Sequence, residues 1–220
     1  MIIIAVWLAV LVGGPLAAGA QGGWIYRDLT GNIVTIIHLQ EDTSGEDVTL
    51  HSILSDGDLH SVQMDVTRAT LRYDFESPER KTAYSATRDG NDIFIQGTLK
   101  GQAVSKRIPI DSHPWYESME WSLQPFAVSG SSGPVLFWVV QPYDGQAFLM
   151  QAREEKEEDI PVDGRTLEAM RVKVSPWGIL SLFWSSLYWF RPSDGAFLRY
   201  EAVRGLPGTP KTVVELIDEL

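Results

Sequence analysis

The sequence has 220 residues, of which 44% are hydrophobic and 21% charged, and its formal net charge is −11. This length can bury one hydrophobic core of ordinary size, and the composition is that of a folded chain. The acidic balance repels phosphate backbones, and no run of Lys and Arg offsets it, so nucleic-acid binding is not expected. The absence of cysteine excludes disulfides, thiol nucleophiles and cysteine-ligated metals.

The first twenty residues have the pattern of a secretory signal peptide. An apolar stretch is followed by the helix-breaking Gly13-Gly14-Pro15 and by the small residues Ala18-Gly19-Ala20. The apolar stretch has about 12 residues, fewer than the roughly 20 that span a bilayer. We therefore expect residues 1–20 to be a signal peptide cleaved near Ala20, and 21–220 to be one periplasmic or secreted domain without a transmembrane span. The stretch lacks a preceding Lys or Arg, which favours a start codon upstream of Met1.

Alternating apolar and polar residues dominate the rest of the chain. Leu71, Tyr73 and Phe75 alternate with polar residues, a period of two that is typical of strands with one buried face. Asp-Gly dipeptides favour tight hairpin turns, and they occur at 56–57, 89–90, 144–145, 163–164 and 194–195. The predicted strands are 32–39, 46–54, 59–66, 69–76, 81–88, 92–99, 102–108, 135–141, 146–153, 166–175, 187–191 and 196–203.

Three segments depart from this alternation. Residues 117–126 could form a short helix, and residues 209–220 suit either a helix or a closing strand. Trp177 to Tyr188 is apolar on all sides apart from its serines, which predicts a buried plug. The fold expected is mainly β, a large curved antiparallel sheet (half-barrel) wrapped around one or two short helices.

Motifs for catalysis or metal binding are missing from the sequence. The four histidines, His38, His51, His60 and His113, lack the close spacing of zinc ligands. A serine elbow and phosphate-binding glycine loops are also absent. The acidic run at 154–159 suits a solvated loop or a strand extension. We predict no catalytic residue, no metal and no cofactor, although paired carboxylates remain an open alternative.

Aromatic residues are the remaining candidates for a site. Rings of this kind usually fill a core, yet a plug that fits a wide sheet incompletely leaves an apolar cavity, and such cavities bind lipid-like ligands. The predicted ligand-binding residues are Trp115, Tyr116, Trp121, Phe183, Trp184, Tyr188 and Trp189. The alternative is an envelope structural or assembly factor that binds another protein through exposed aromatic surface around Trp184. The uncharged stretch 175–190 could also dip into a membrane interface.

Two stretches resemble a known group of proteins. The first runs from Arg107 to Trp121, and the second, from Leu187 to Glu201, is a strand, an Asp-Gly turn and a strand ending in Arg-Tyr-Glu. This pattern resembles uncharacterised exported bacterial proteins related to the periplasmic lipoprotein-carrier half-barrels, over residues 60 to 215. The resemblance implies a half-barrel fold and a cell-envelope location, and it implies no catalytic residues.

Overall fold

The computed structural model describes residues 22–44, 47–130, 133–182, 184–203 and 210–220. The predicted signal peptide and its cleavage site therefore lie outside the described residues. The strands are β1 Gly22–Thr30, β2 Ile33–Ser44, β3 Asp47–Leu54, β4 Leu59–Met64, β5 Thr70–Ser77, β6 Thr82–Asp89, β7 Asp92–Leu99, β8 Gln102–Pro109, β9 Val135–Val140, β10 Ala147–Val162, β11 Arg165–Pro176, β12 Ser186–Phe190, β13 Phe197–Val203 and β14 Lys211–Glu219. Two short helices, α1 Met119–Ser122 and α2 Gln124–Val128, lie between β8 and β9.

These strands form one antiparallel sheet in the order β8-β7-β6-β5-β4-β3-β2-β1-β14-β13-β12-β11-β10-β9. Two meanders, β1–β8 and β9–β14, are joined by the pairing of β1 with β14, in which Arg27 lies opposite Glu215. The sheet curves until its edges approach each other, and Lys106 Nζ of β8 donates to the carbonyl of Gly145 beyond β9 at 2.8 Å. The predicted half-barrel is confirmed.

Asp-Gly turns and strand periodicity account for most of this sheet. Each of the five Asp-Gly dipeptides lies at the connection between two paired strands, with Asp89 as the last residue of β6, and each of their glycines has positive φ. Tyr73 and Phe75 of β5 and Tyr84 of β6 are buried on the inner face, while Arg72 and Glu76 are exposed. Leu71 departs from this pattern and is exposed, because it lies where the register between β4 and β5 shifts. The alternation in sequence is therefore the alternation between the two faces of the sheet.

The concave face is filled by residues 110–128, which we call the inner segment. Trp115, Trp121 and Leu123 of this segment have 0–1% of their surface exposed. The carbonyl of Trp115 accepts from the backbone amide of Thr70, and the hydroxyl of Ser122 donates to the carbonyl of Arg68. The inner segment also extends the sheet edge, because Trp115 and Trp138 of β9 form a parallel bridge.

The plug predicted at Trp177–Tyr188 is wrong. Gly178–Leu182 is a 3₁₀ turn on the surface, with Trp177 50%, Ile179 75% and Leu182 78% exposed. Beyond it, Ser186–Phe190 is strand β12 within the sheet. An uncharged apolar stretch predicts burial, but this one is an exposed connection, and the inner segment fills the concave face of the sheet instead. In the described part of the chain, helices are too short and too polar to cross a membrane.

The acidic run at 154–159 belongs to β10, so its expected form as a strand extension is observed. Its charges are partly neutralised by Arg171 of β11, which lies 2.7 Å from a carboxylate oxygen of Glu155 and 3.1 Å from one of Glu158. The tip of this long hairpin contacts the outer face of the central strands, where Arg27 Nη2 is 3.0 Å from Asp163 and 3.2 Å from Glu215.

Candidate ligand-binding cavity

A cavity of about 320 Å³ lies between the inner segment and the concave face of the sheet. Alternation in β2, β3 and β4 turns Leu39, Leu54 and Val62 toward it, while β13 and β14 contribute Phe197 and Val214. Its walls are therefore largely apolar, and they come from strands far apart in sequence.

Glu117 of the inner segment borders the cavity and is held in place by three hydrogen bonds. Its Oε2 accepts from Trp115 Nε1 at 2.8 Å and from the backbone amide of Val140 at 3.0 Å. Its own amide donates to the hydroxyl of Thr70 at 2.9 Å. Burial raises the pKa of Glu117 to about 8, because removal from water disfavours the charged form more than these donors favour it.

Glu120, in the first turn of α1, borders the same cavity. Its Oε1 accepts from the hydroxyl of Ser118 at 2.9 Å, and burial raises its pKa above the usual value. Glu117, just before α1, and Glu120, within it, both border the same apolar space.

The other polar lining includes four tyrosines. Tyr26, Tyr73, Tyr188 and Tyr200 all border the cavity. The hydroxyl of Tyr73 is 2.9 Å from Nδ1 of His60, whose pKa is lowered by burial. None of the residues that line the cavity is Lys or Arg.

Two hairpin turns are in contact beside the cavity. The Tyr143 hydroxyl, next to Pro142 of the lining, donates to Oδ2 of Asp58 at 3.2 Å. Asp58 is 1% exposed, and Arg80 lies 3.7 Å from its carboxylate and 4.2 Å from the Tyr143 ring centroid. This cluster ties the β9–β10 turn to the β3–β4 turn.

Of the seven residues predicted for ligand binding, Tyr188 lines the cavity. Trp115 and Trp121 are fully buried in the core, and Tyr116 stacks on Phe137 with ring centroids 5.1 Å apart. Trp189 lies on the opposite face of β12, where its Nε1 donates to Glu158 Oε1 at 3.1 Å.

The remaining two predicted residues are Trp184 and Phe183. Trp184 is half-buried and packs against the core, and Phe183 lies outside the described residues.

Sequence reasoning missed Glu117 and Glu120. Both stand between Trp115 and Trp121 in a segment rich in rings, and an acid placed among large apolar residues was the available signal. Over the described ranges, no group of three His, Asp or Glu side chains is arranged to hold a metal ion.

Comparison with known proteins shows the fold. A β-barrel-like protein of a domain of unknown function, DUF1849, from Brucella abortus superimposes with a TM-score of 0.60 at 7% identity, over 90% of this chain and 96% of that one. The hypothetical lipoprotein YmcC from Escherichia coli gives 0.42 at 9% identity over 93% and 90%. A LolA superfamily protein from Nitrosomonas europaea gives 0.26 at 11% identity over 90% and 84%. No protein-family model matches the chain, and no curated protein matches it.

Proposed function

We propose that this protein is exported to the cell envelope and binds or carries a hydrophobic, lipid-like ligand in the cavity between the curved sheet and the inner segment. The observation that carries the proposal is a largely apolar, partly open space of about 320 Å³ between the curved sheet and the inner segment. Ligand pockets of proteins begin at about 300 Å³ and combine apolar walls with a few polar groups. Tyr188 is the residue of the sequence-based set that would contact the ligand.

Blocking the cavity tests this proposal. Val139 lines it, and Val139→Trp should fill part of the space. Native mass spectrometry of the protein isolated from its own cells should detect a bound apolar molecule in the wild type and lose it in the variant. Val34→Trp is the matched control, because Val34 is 57% exposed.

If Val139→Trp fails to fold, Ser52→Phe introduces a ring at another lining position. A wild-type protein that carries no apolar molecule, and takes up none from added alkyl probes, would contradict the proposal. Export has its own measurement: the N-terminal sequence of the mature protein from the periplasmic fraction should begin near Gln21.

A second candidate function is binding to another envelope protein, and the exposed 3₁₀ turn favours it. Ile179 and Leu182 are 75% and 78% exposed, beside the half-exposed Trp177. Contiguous exposed apolar side chains are typical of interaction sites. A photoreactive residue at Ile179 should cross-link one specific protein in intact cells, and the same probe at Val34 should not. Equal patterns at both positions would reject this candidate.

A further inference from the structure

The cavity lining contains acidic side chains but no Lys or Arg. Glu117 and Glu120 both border it, whereas Lys and Arg are absent from its lining. Within the described part of the chain, neither glutamate takes part in an ion pair. The hydrogen bonds to Glu117 come from an indole and a backbone amide, and the side-chain hydrogen bond to Glu120 comes from a hydroxyl, so all these donors are neutral.

Three arginines elsewhere in the fold are paired with other acids. Arg80 pairs with Asp58 at 3.7 Å, Arg68 lies 3.9 Å from Glu41, and Arg191 pairs with Asp194 at 2.9 Å and with Glu219. Among the described residues, no ion pair joins a Lys or Arg to either of these two carboxyl groups. A carboxylate held away from water without a cationic partner is costly, so burial keeps Glu117 in its neutral form up to about pH 8, and a ligand that brings a cation stabilises the charged form.

The aromatic lining suits the same ligand. Tyr73, Tyr188 and Tyr200 border the cavity, with Tyr188 and Tyr200 in edge-to-face contact at a centroid distance of 5.0 Å. The negative face of a tyrosine ring attracts ammonium groups, and the attraction strengthens where water is excluded. Carboxylates and tyrosine rings together form the usual environment of a bound organic cation.

We propose that the ligand of this cavity is an apolar amine, with its hydrocarbon part against Leu39, Val62 and Val214 and its ammonium group beside Glu117 and Glu120. This inference rests on the proposed function and specifies its ligand class. Fatty acids and other anionic amphiphiles are disfavoured, because the lining offers them two acids and no cation.

Proton release should accompany binding. Burial raises the pKa of Glu117 to about 8 and also raises that of Glu120, so in the empty cavity at neutral pH the Glu117 carboxyl group is mostly protonated. An ammonium beside it favours the carboxylate, and the proton leaves to solvent. Affinity for a permanently charged amine should thus rise with pH up to about pH 8.

Other titratable groups face the same cavity. They are His60 of β4, Tyr73 of β5, Tyr188 of β12, Tyr26 of β1 and Tyr200 of β13. Burial lowers the pKa of His60 and raises those of Tyr26 and Tyr73, so between about pH 7 and pH 8 all three are predominantly neutral.

The test compares three probes that share one alkyl chain: decyltrimethylammonium, decanol and decanoate. Titration calorimetry on the folded mature protein should show the ammonium binding at least about tenfold more tightly than the alcohol, equivalent to ~1.4 kcal/mol, and decanoate binding most weakly. Glu117→Gln and Glu120→Gln should each reduce the preference for the ammonium, while binding of decanol persists. Glu157→Gln, on the exposed side of β10, should leave all three affinities unchanged.

The outcomes separate the two proposals. Equal affinity for ammonium and alcohol, or tighter binding of decanoate, would overturn the amine inference and leave the hydrophobic cavity proposal standing. Binding of none of the probes would count against the cavity proposal itself. Decanol binding also reports that each glutamine variant is folded.

Discussion

Trp121 Nε1 of α1 donates a hydrogen bond of 3.0 Å to Oε2 of Glu41 in β2. The bond joins the inner segment to the concave face, and the indole also meets Trp24 edge-on with ring centroids 4.9 Å apart. Because Trp121 is 1% exposed, bulk water cannot replace its indole N–H as a donor to Glu41 unless the structure changes.

Trp121→Phe should therefore lower the free energy of unfolding by about 1–3 kcal/mol, since Glu41 would lose a donor while most of the ring contact remains. Urea denaturation measures the loss. Trp177→Phe is the matched control and should stay within ~0.5 kcal/mol, because Trp177 is 50% exposed. Equal effects of the two changes would show that the Trp121–Glu41 bond does not hold the inner segment.

Glu117 should make the protein less stable as pH rises. Its folded pKa of about 8 is above the ordinary value of 4.5, so between these pH values the folded state binds more protons than the unfolded state. Stability then falls with pH by up to ~1.4 kcal/mol per pH unit in this window and levels off above it.

Glu117→Gln keeps an acceptor for Trp115 Nε1 and Val140 N but does not titrate. In urea unfolding at several pH values, the free energy of unfolding of the variant should increase relative to that of the wild type as pH rises toward about pH 8. The two should differ little near about pH 4.5. Glu157→Gln should follow the wild-type curve. Parallel curves for wild type and Glu117→Gln would contradict the assignment.

Gly97 of β7 is required by the close approach of β6. Its φ is +145°, and a Cβ there would lie 2.4 Å from the carbonyl oxygen of Ala83 and 2.7 Å from Cα of Tyr84. Gly97→Ala should cost at least about 2 kcal/mol, from backbone strain and the clash with main-chain atoms. Gly90→Ala is the comparison: its φ is +56° and no neighbouring atom lies within 4 Å, so about 1 kcal/mol is expected. Thermal unfolding of both variants measures this difference in stability.

Asp58 and Tyr143 should be energetically coupled. Tyr143→Phe removes the hydroxyl that donates to Asp58 but keeps the ring beneath Arg80, so a loss of about 1 kcal/mol is expected. Asp58→Asn should cost more, because Arg80 also loses its ion-pair partner. In a double-mutant cycle by urea unfolding, the pair should lose less than the sum of the single changes. Strict additivity would mean that the two turns do not act together.

Much of the sheet could be predicted from sequence because half-buried strands alternate apolar residues on the buried face with polar residues on the exposed face. Strand β7 is observed over the residues predicted for it, Asp92–Leu99, and β10 exceeds the predicted 146–153 because its charged outer half, to Val162, lacks an apolar alternation. β1 was missed: its inner face includes Asp28, a buried acid that interrupts the expected pattern.

The cavity could not be predicted in the same way. The polarity of a residue predicts burial only where the interior is filled with apolar side chains. A ligand cavity also places polar groups such as Glu117 and Glu120 in the interior. The same logic explains the misplaced plug, since Ile179 and Leu182 are apolar yet exposed. Tyr188 was included in the predicted site through its place in an aromatic cluster, although that cluster as a whole does not line the cavity.

The pairing of β1 with β14 has a consequence for folding. The two meanders share few contacts besides this ladder, the inner segment and the tip of the β10–β11 hairpin, so the centre of the sheet is made from strands at opposite ends of the described chain. Each meander can form from neighbouring strands, but the concave face is complete only after residues 211–219 have paired with residues 22–30. Until then the apolar inner face is exposed to solvent. The folding chain therefore consists of two open sheets that are prone to aggregation.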